Sequence, residues 1–277
     1  MTSKRKRYSR SAKSARHEAD APILDVAGLG VEYDGQIALD HVSFRLVRGE
    51  QIAVVGPNGA GKSTLFKAIA GVLQPTRGRI QVAGHQPGRH ICIAYVPQHS
   101  RTDQTFPVNV ADVVMMGRIG KLGWLRHPRS RDWEYVDHCI ETVGLTDLVR
   151  RQIGELSGGQ QQRMFIARAL AQEAELMLMD EPLTGLDVTA QEKVIEVLEA
   201  LRPHGVTVLV ATHDLNLAAR QFDRVMLLNK EMIGFGKPDE ALTTERLRLA
   251  YGEHLQLIHI DERTIVVSDT CCEGGVK

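Results

Sequence analysis

The sequence is poor in cysteine and in aromatic residues, carries no net charge, and contains no long apolar run. Four cysteines in 277 residues, none in a zinc-type pair, are typical of a reduced cytosolic protein. Equal numbers of basic and acidic residues, 34 of each, exclude a global field that concentrates nucleic acid, so no nucleic-acid partner is expected. No segment reaches the roughly 18 apolar residues of a membrane-spanning helix, and the basic N-terminus lacks the apolar stretch of a secretory signal.

The charge is unevenly distributed along the chain. Residues 1–20 contain seven basic and two acidic residues, a composition that predicts a disordered basic arm. This arm either solubilises the protein or contacts lipid headgroups or RNA. At the other end of the chain, Cys271 and Cys272 are adjacent in a short tail, where they are either incidental or ligands of a soft metal.

Apolar patterning predicts an α/β fold. The predicted strands lie at 23–33, 42–47, 51–55, 80–83, 91–96, 176–179, 206–211 and 225–228, and the predicted helices at 62–73, 110–117, 131–143, 160–172 and 189–201. Because the later strands are continuously apolar and alternate with helices, they predict a parallel sheet that is buried on both faces. A helical insertion is predicted at about 105–155, with Asn109 capping its first helix. Residues 256–268 alternate like a terminal hairpin.

A glycine-rich loop stands between an apolar strand and a helix. Its residues match the phosphate-binding pattern G-x-x-x-x-G-K-[ST]: Gly56, Pro57, Asn58, Gly59, Ala60, Gly61, Lys62, Ser63 and Thr64. The glycines let backbone N–H groups surround a polyphosphate at the positive end of the helix. Lys62 supplies a charge between the β- and γ-phosphates, Ser63 a ligand for Mg²⁺, and Thr64 a further phosphate contact. The alternative is a glycine-rich β-turn with an incidental lysine.

Two acids follow the apolar strand at 176–179. Asp180 is expected at the carboxyl edge of the sheet, where open α/β sheets bind their ligands. There it holds Mg²⁺ through the water shell of the ion, while Glu181 polarises the attacking water. The alternative is that both acids cap the next helix, with Pro182 in its first turn.

A second candidate anion-binding segment precedes the helix at 160–172. Ser157, Gly158, Gly159 and Gln160 place a hydroxyl and bare N–H groups at a helix N-terminus. Taken alone, this segment is better explained as a serine N-cap with a glycine turn. It stands, however, in an ordered set with Asp180 and with His213, which ends a later strand.

That ordered set resembles the nucleotide-binding subunit of ABC transporters over residues 23–255. The motifs that carry the resemblance are the phosphate loop, the Q-loop glutamine Gln98, the signature at 156–160, the Walker B segment at 176–181, the D-loop at 183–187 and the switch histidine His213. The resemblance implies that Gln98 senses Mg²⁺ and the attacking water, that His213 contacts the γ-phosphate, and that Asp187 faces a partner chain. Tyr33 stands where family members place an aromatic residue that stacks on adenine; alternatively, it is an ordinary strand residue.

The resemblance also implies an architecture and partners. The fold is then a P-loop NTPase core with a mainly parallel sheet, an N-terminal antiparallel β subdomain and the inserted helical subdomain. The ATPase domain spans 21–255, and a hairpin and tail span 256–277. Two chains meet head to tail around two ATP molecules with Mg²⁺, each ATP contacting the phosphate loop of one chain and Ser157 to Gln160 of the other. This dimer binds a separate transmembrane permease at the cytoplasmic face of the membrane. Through the permease it works indirectly with an extracytoplasmic substrate-binding protein.

Within the family, the closer resemblance is to ATPases of manganese, zinc and iron uptake. It is carried by residues 106–110, 112–118, 123–125 and 223–228. Importers of haem, siderophores or cobalamin share part of this pattern and are the alternative, followed by a non-transport ABC-type ATPase. Several apolar residues of the insertion are either buried or form a groove for a permease helix: Phe106, Met115, Met116, Trp124 and Leu125.

Overall fold

The computed structural model describes residues 22–87, 92–98, 107–122 and 127–252, together with the backbone of strands at 255–260 and 263–268. Several sequence predictions fall outside these residues: those on the basic arm at 1–20 and on Phe106, Trp124, Leu125, Cys271 and Cys272. Within the part of the chain that is described, no helix is both long enough and apolar enough to cross a membrane.

The strands form a large central sheet, a smaller antiparallel sheet and a hairpin. In chain order they are β1 (Leu24–Tyr33), β2 (Gln36–Leu46), β3 (Gln51–Val55), β4 (Arg77–Val82), β5 (Ile93–Val96), β6 (Leu176–Asp180), β7 (Thr207–Thr212), β8 (Arg224–Asn229), β9 (Glu231–Gly236), β10 (Leu255–Ile260) and β11 (Arg263–Ser268). The central sheet has the spatial order β5-β6-β7-β3-β8-β9, in which β9 is antiparallel to β8 and the other pairs are parallel. The predicted mainly parallel sheet is confirmed.

The parallel strands are apolar throughout because both faces of the central sheet are covered. Along β3, Ile52 and Val54 face one core while Ala53 and Val55 face the other, since successive side chains of a strand point to opposite faces. The first core lies between this sheet and the antiparallel sheet β2-β1-β4. The second core contains the buried side chains of the helical insertion.

The helices fill the connections between the strands. They are α1 (Lys62–Ile69), α2 (Val110–Met116), α3 (Ile119–Leu122), α4 (Ser130–Thr142), α5 (Gly158–Ala171), α6 (Val188–Leu201), α7 (Leu215–Gln221), α8 (Pro238–Ala241) and α9 (Thr244–Tyr251). The predicted cap of the insertion is confirmed, because the side chain of Asn109 accepts the N–H of Asp112 at 3.0 Å.

Some boundaries differ from the sequence prediction. Strand β2 begins at Gln36, six residues earlier than predicted. The prediction missed the start of the strand because its first residues are exposed and lack an apolar alternation. Helix α1 ends at Ile69 rather than at residue 73, and Gly71 then adopts a left-handed conformation with φ 74°. Strand β9 and helix α9 were not predicted. The segment predicted as a terminal hairpin contains β10 and β11, which pair in the antiparallel direction.

Candidate functional site

The phosphate loop connects β3 to α1 and packs against the end of β8. Gly59 and Gly61 have φ values of 79° and 96°, a region that favours glycine. A Cβ atom on Gly56 would collide with the backbone carbonyl of Leu228. These glycines are therefore required by the conformation and packing of the loop, which leaves its N–H groups free of side-chain cover.

Lys62, the first residue of α1, turns its ammonium back into this loop. Its Nζ donates to the carbonyl oxygens of Gly56 at 2.8 Å and Pro57 at 3.1 Å, and the residue is 6% exposed. Burial lowers the pKa of Lys62, and the neighbouring carboxylates of Glu181 and Asp180 oppose this shift. The ammonium is thus held inside the loop, where phosphate oxygens can replace the two carbonyls as its partners.

An open cleft of about 760 Å³ adjoins the phosphate loop. Its lining residues are Tyr33, Gly35, Gln36, Ile37, Ala38, Asn58, Gly59, Asn229 and Lys230. Tyr33 is 43% exposed, and the N–H of Lys230 donates to the carbonyl oxygen of Ala60 at 2.9 Å, which ties the turn after β8 to the loop. A cleft that joins an exposed aromatic ring to a phosphate loop has the arrangement that a purine nucleotide requires.

Asp180 ends β6 with its carboxylate buried. The residue is 3% exposed, and its Oδ1 atom is buried without a hydrogen-bond partner in the described structure. Burial raises the pKa of Asp180, while a hydrogen bond from Ser63 and the charge of Lys62 lower it. An unpartnered carboxylate oxygen beside a hydroxyl group is a set of oxygen ligands that fits Mg²⁺.

Glu181 follows immediately at the carboxyl end of β6, and its side chain is 13% exposed. Its Oε2 atom accepts hydrogen bonds from Nε2 of Gln98 at 2.9 Å and from Oγ1 of Thr184 at 3.1 Å. The same oxygen lies 3.9 Å from Nδ1 of His213. The structure therefore brings together the three residues that the sequence analysis placed in catalysis, Gln98, Glu181 and His213.

The signature segment forms the start of α5. Ser157 Oγ accepts the N–H of Gln160 at 3.3 Å, and Gln160 Oε1 accepts the N–H of Ser157 at 2.9 Å, which makes a capping box. A Cβ atom on Gly159 would lie 2.8 Å from Cβ of Ala190, so this glycine permits the close approach of α5 to α6. Among the described residues, no hydrogen bond joins the signature segment to the phosphate loop. The two candidate anion-binding segments of one chain begin different helices, α1 and α5.

Asp187 is exposed and begins α6, where its Oδ1 atom accepts the N–H of Ala190 at 2.8 Å. This aspartate is the N-cap of the helix that follows the two acids. The alternative in which Asp180 and Glu181 cap that helix is therefore wrong, because the helix begins seven residues beyond Glu181, at Val188.

The helical insertion is fastened to the core through Arg118. Its guanidinium donates to the carbonyl of Ala171 at 3.0 Å and to Oε1 of Glu173 at 2.5 Å, and it lies 3.5 Å from Oδ1 of Asp132. It also stands 4.8 Å from the centre of the Tyr135 ring, within cation–π distance. Arg118 thus links the insertion to the segment between α5 and β6, the strand that ends at Asp180.

Two methionines of the insertion test the predicted apolar groove. Met115 is 7% exposed and lies in the core that includes the insertion, so of the two alternatives for this residue the structure shows burial. Met116, one residue further along α2, is 37% exposed. The difference follows from helical geometry, because adjacent residues of a helix point about 100° apart and a single face is covered.

Three residues that were not predicted from the sequence also contact the site: Tyr95, Thr184 and Lys230. The Tyr95 hydroxyl lies 3.5 Å from Oδ2 of Asp180. Burial, and next the charge of Asp180, raise the pKa of Tyr95 to about 12, so the phenol stays protonated at neutral pH. Tyr95 lies just before the Q-loop glutamine Gln98, and Thr184 lies in the D-loop, so these two motifs could have indicated them. Lys230 acts through its backbone, for which side-chain motifs give no signal.

Comparison with known proteins agrees with this geometry. Residues 39–184 match the ABC transporter family. The chain is 43% identical to the manganese transport system ATP-binding protein MntB of Halalkalibacterium halodurans, over 89% of this chain and 99% of that protein. It is 44% identical to the zinc transport system ATP-binding protein TroB of Treponema pallidum, over 84% of this chain and 88% of that protein. An inward-facing structure of a metal-chelate type ABC transporter matches with a TM-score of 0.76 at 32% identity, covering 89% of this chain and 96% of that one.

Proposed function

The chain belongs to the ABC transporter family of ATPases, and we propose that its ATP hydrolysis powers the import of manganese, zinc or iron through a separate membrane permease. The observation that carries this cargo class is identity above 40% with a manganese and a zinc transport ATPase, along more than four fifths of the chain. Import of a metal chelate such as haem, a siderophore or cobalamin is the second candidate. It is supported by the structural match to a metal-chelate type transporter, at 32% identity.

The active unit is a head-to-tail homodimer. Each ATP lies between the phosphate loop of one chain and the segment from Ser157 to Gln160 of the other, with its base on Tyr33. Two observations support this arrangement: both segments are starts of helices, where anions bind, and no hydrogen bond joins them within the described chain. A two-fold axis makes each composite site twice, and the exposed Asp187 then faces the partner.

The residues of each site divide the work of phosphoryl transfer to water. Lys62 binds the β- and γ-phosphates, and Thr64 binds a further phosphate oxygen. Ser63, Asp180 and Gln98 hold Mg²⁺, which when bound neutralises charge on the phosphate oxygens. Glu181 takes the proton of the attacking water, a task for which its carboxylate is suited by its position at the sheet edge beside Gln98 and His213.

The two remaining polar residues orient the reactants. His213 contacts the γ-phosphate, and Gln98 binds the attacking water and connects it to the insertion. Both stand within reach of the Glu181 carboxylate, which supports a role in the same step. Binding of ATP closes the dimer and hydrolysis releases it, and this cycle drives a permease held against the cytoplasmic face of the membrane and served by an extracytoplasmic substrate-binding protein.

The site assignment is tested with Glu181→Gln, which keeps the volume of the side chain but removes its basicity. Loss of a positioned base lowers the rate by about 10²–10⁴, whereas ATP binding persists because Lys62 and Ser63 are untouched. Size-exclusion chromatography with ATP should show a lasting dimer, and addition of Ser157→Arg should leave monomers that still bind ATP. Hydrolysis at the wild-type rate removes Glu181 from catalysis, and a normal dimer with Ser157→Arg removes the signature segment from the interface.

The cargo is tested in vesicles that contain the permease, with the substrate-binding protein outside and the ATPase with ATP inside. We expect ATP-dependent accumulation of Mn²⁺, Zn²⁺ or Fe²⁺, each followed as a radioisotope. Matched vesicles with Glu181→Gln provide the control, since they hold the same proteins without turnover. Uptake of haem, a ferric siderophore or cobalamin without uptake of any free ion establishes the second candidate instead.

A further inference from the structure

The turn from Glu181 to Thr184 has an unusual conformation for its sequence. Glu181 has φ 49°, in the left-handed region that side-chain-bearing residues rarely adopt. Two backbone hydrogen bonds hold it there: its N–H donates to the carbonyl of Ala211 at 3.0 Å, and its own carbonyl accepts the N–H of Thr184 at 3.3 Å. Backbone strain of this kind persists where the surrounding structure over-determines a position, and it is found at functional sites.

The turn also returns the Thr184 side chain to the carboxylate. Thr184 Oγ1 donates to Oε2 of Glu181 at 3.1 Å. Two further polar groups, Nε2 of Gln98 and Nδ1 of His213, approach this same oxygen. A carboxylate has two acceptor oxygens, and among the residues that the structure describes the hydrogen bonds to this one go to Oε2, which leaves Oε1 for another donor.

The three neighbours of Oε2 are not equally fixed. The imidazole of His213 is 56% exposed, and Gln98 is exposed as well. Thr184 is partly buried and lies three residues from Glu181 in the same turn, so its side chain has a short and stiff connection to the carboxylate. Thr184 is therefore the local contact that persists when Gln98 or His213 turns toward a ligand.

We propose that Thr184 is a positioning residue for ATP hydrolysis: its hydroxyl holds Oε2 of Glu181 and thereby presents Oε1 to the attacking water. The inference rests on the proposed role of Glu181 as the general base. Thr184 acts through Glu181, so its loss should lower the rate of hydrolysis and leave the binding of ATP unchanged. A threonine that merely stabilises the turn would instead affect folding and ATP binding together.

The test compares Thr184→Val, which keeps the shape and removes the hydroxyl, with Thr184→Ser, which keeps the hydroxyl. We expect kcat of Thr184→Val to fall by about 10- to 100-fold, since misplaced catalytic groups cost up to that much, with KM for ATP unchanged. Thr184→Ser should restore most of kcat. Thr142→Val is the matched control, because the hydroxyl of Thr142 donates to a carbonyl of its own helix, α4; its kcat should equal that of the wild type.

A double-mutant cycle separates positioning from structure. In the Glu181→Gln background, Thr184→Val should cause no further loss of the residual rate, because the residue through which Thr184 acts is already disabled. An additive loss, or a wild-type kcat for Thr184→Val alone, overturns the proposal. If Thr184→Val fails to fold, Thr184→Ala replaces it, and equal kcat values for Thr184→Ala and Thr184→Ser overturn it as well. Wild-type hydrolysis by Glu181→Gln contradicts the proposed base instead, so the two failures are distinguishable.

Discussion

Replacing Lys62 by methionine removes the ammonium of the phosphate loop and keeps an unbranched side chain of similar length. In the structure this ammonium is buried and is held by the carbonyl oxygens of Gly56 and Pro57, at 2.8 and 3.1 Å. A bound polyphosphate offers it charged oxygens in their place. Because a hydrogen bond between charged partners contributes about 1.5–3 kcal/mol, the affinity for ATP should fall by about 10- to 100-fold.

The same substitution should not destabilise the protein without nucleotide. Burial lowers the pKa of Lys62, against the opposing charges of Glu181 and Asp180, so the ammonium is less favourable in the fold than in water. The unfolded chain then binds more protons than the folded chain as the pH approaches 10.5. The contribution of Lys62 to the free energy of unfolding should consequently rise with pH through this alkaline interval, so the free energy of unfolding of the wild type minus that of Lys62→Met should increase with pH.

Two measurements check this reasoning. Titration with a fluorescent ATP analogue gives the affinity, and thermal unfolding with and without ATP gives the stability. Lys62→Met should match or exceed the wild-type Tm without ATP and lose most of the increase that ATP causes. Lys193→Met, a change at an exposed lysine of α6, controls for the loss of one charge. A folded Lys62→Met protein that binds ATP as the wild type does would refute the assignment of this loop.

Three further predictions follow from the site and its surroundings. Asp180→Asn should raise Tm by about 2–4 °C, because it removes a buried carboxylate with an unpartnered oxygen, while ATP hydrolysis should fall below detection; scanning calorimetry and a phosphate-release assay report the two effects. Tyr33→Ala should weaken ATP binding about 5- to 100-fold, the range of one stacked base, and Tyr33→Phe should bind normally in the same titration. Arg118→Met should lower the free energy of unfolding in urea by about 1.5–3 kcal/mol, because it removes the hydrogen bonds to Glu173 and to the Ala171 carbonyl while Lys121 still pairs with Glu173, and Arg131→Met, at an exposed position of α4, should change it little.

The parts of the site that follow from short stretches of sequence were predictable. The phosphate loop is specified by its own glycines, whose positive φ values and close backbone contacts admit no other residue. The position of Asp180 follows from a continuously apolar strand, since such a strand belongs in a parallel sheet whose carboxyl edge binds ligands. Both predictions require only two kinds of information, namely the periodicity of apolar residues along the chain and the chemistry of a few side chains.

The parts that depend on side-chain directions or on exposed strands were not predictable. The contact from Thr184 to Glu181 requires a left-handed glutamate, which nothing in the sequence signals. Strand β2 begins with exposed residues, so the period of side-chain burial does not reveal this part of the strand, and its pairing with β1 is interrupted by register shifts that the sequence does not signal either. Ser157 fits both interpretations of its segment, because its hydroxyl caps α5 while the residue stays exposed, as the proposed contact with the ATP of a partner chain requires.

The order of the strands explains how residues far apart in sequence form one site. Strand β7 lies between β6 and β3, and the pairing of Asp180 with Ala211 and of Val55 with Thr212 aligns the three carboxyl ends in adjacent rows. His213, which directly follows β7, therefore lies between the two acids at the end of β6 and the phosphate loop after β3. Two features at this edge are unfavourable for folding stability: the unpartnered oxygen of Asp180 and the left-handed backbone of Glu181. Both belong to residues that a bound nucleotide and its metal would contact. We therefore expect nucleotide binding to recover the stability that is given up at the sheet edge, which a rise in Tm on addition of ATP would show.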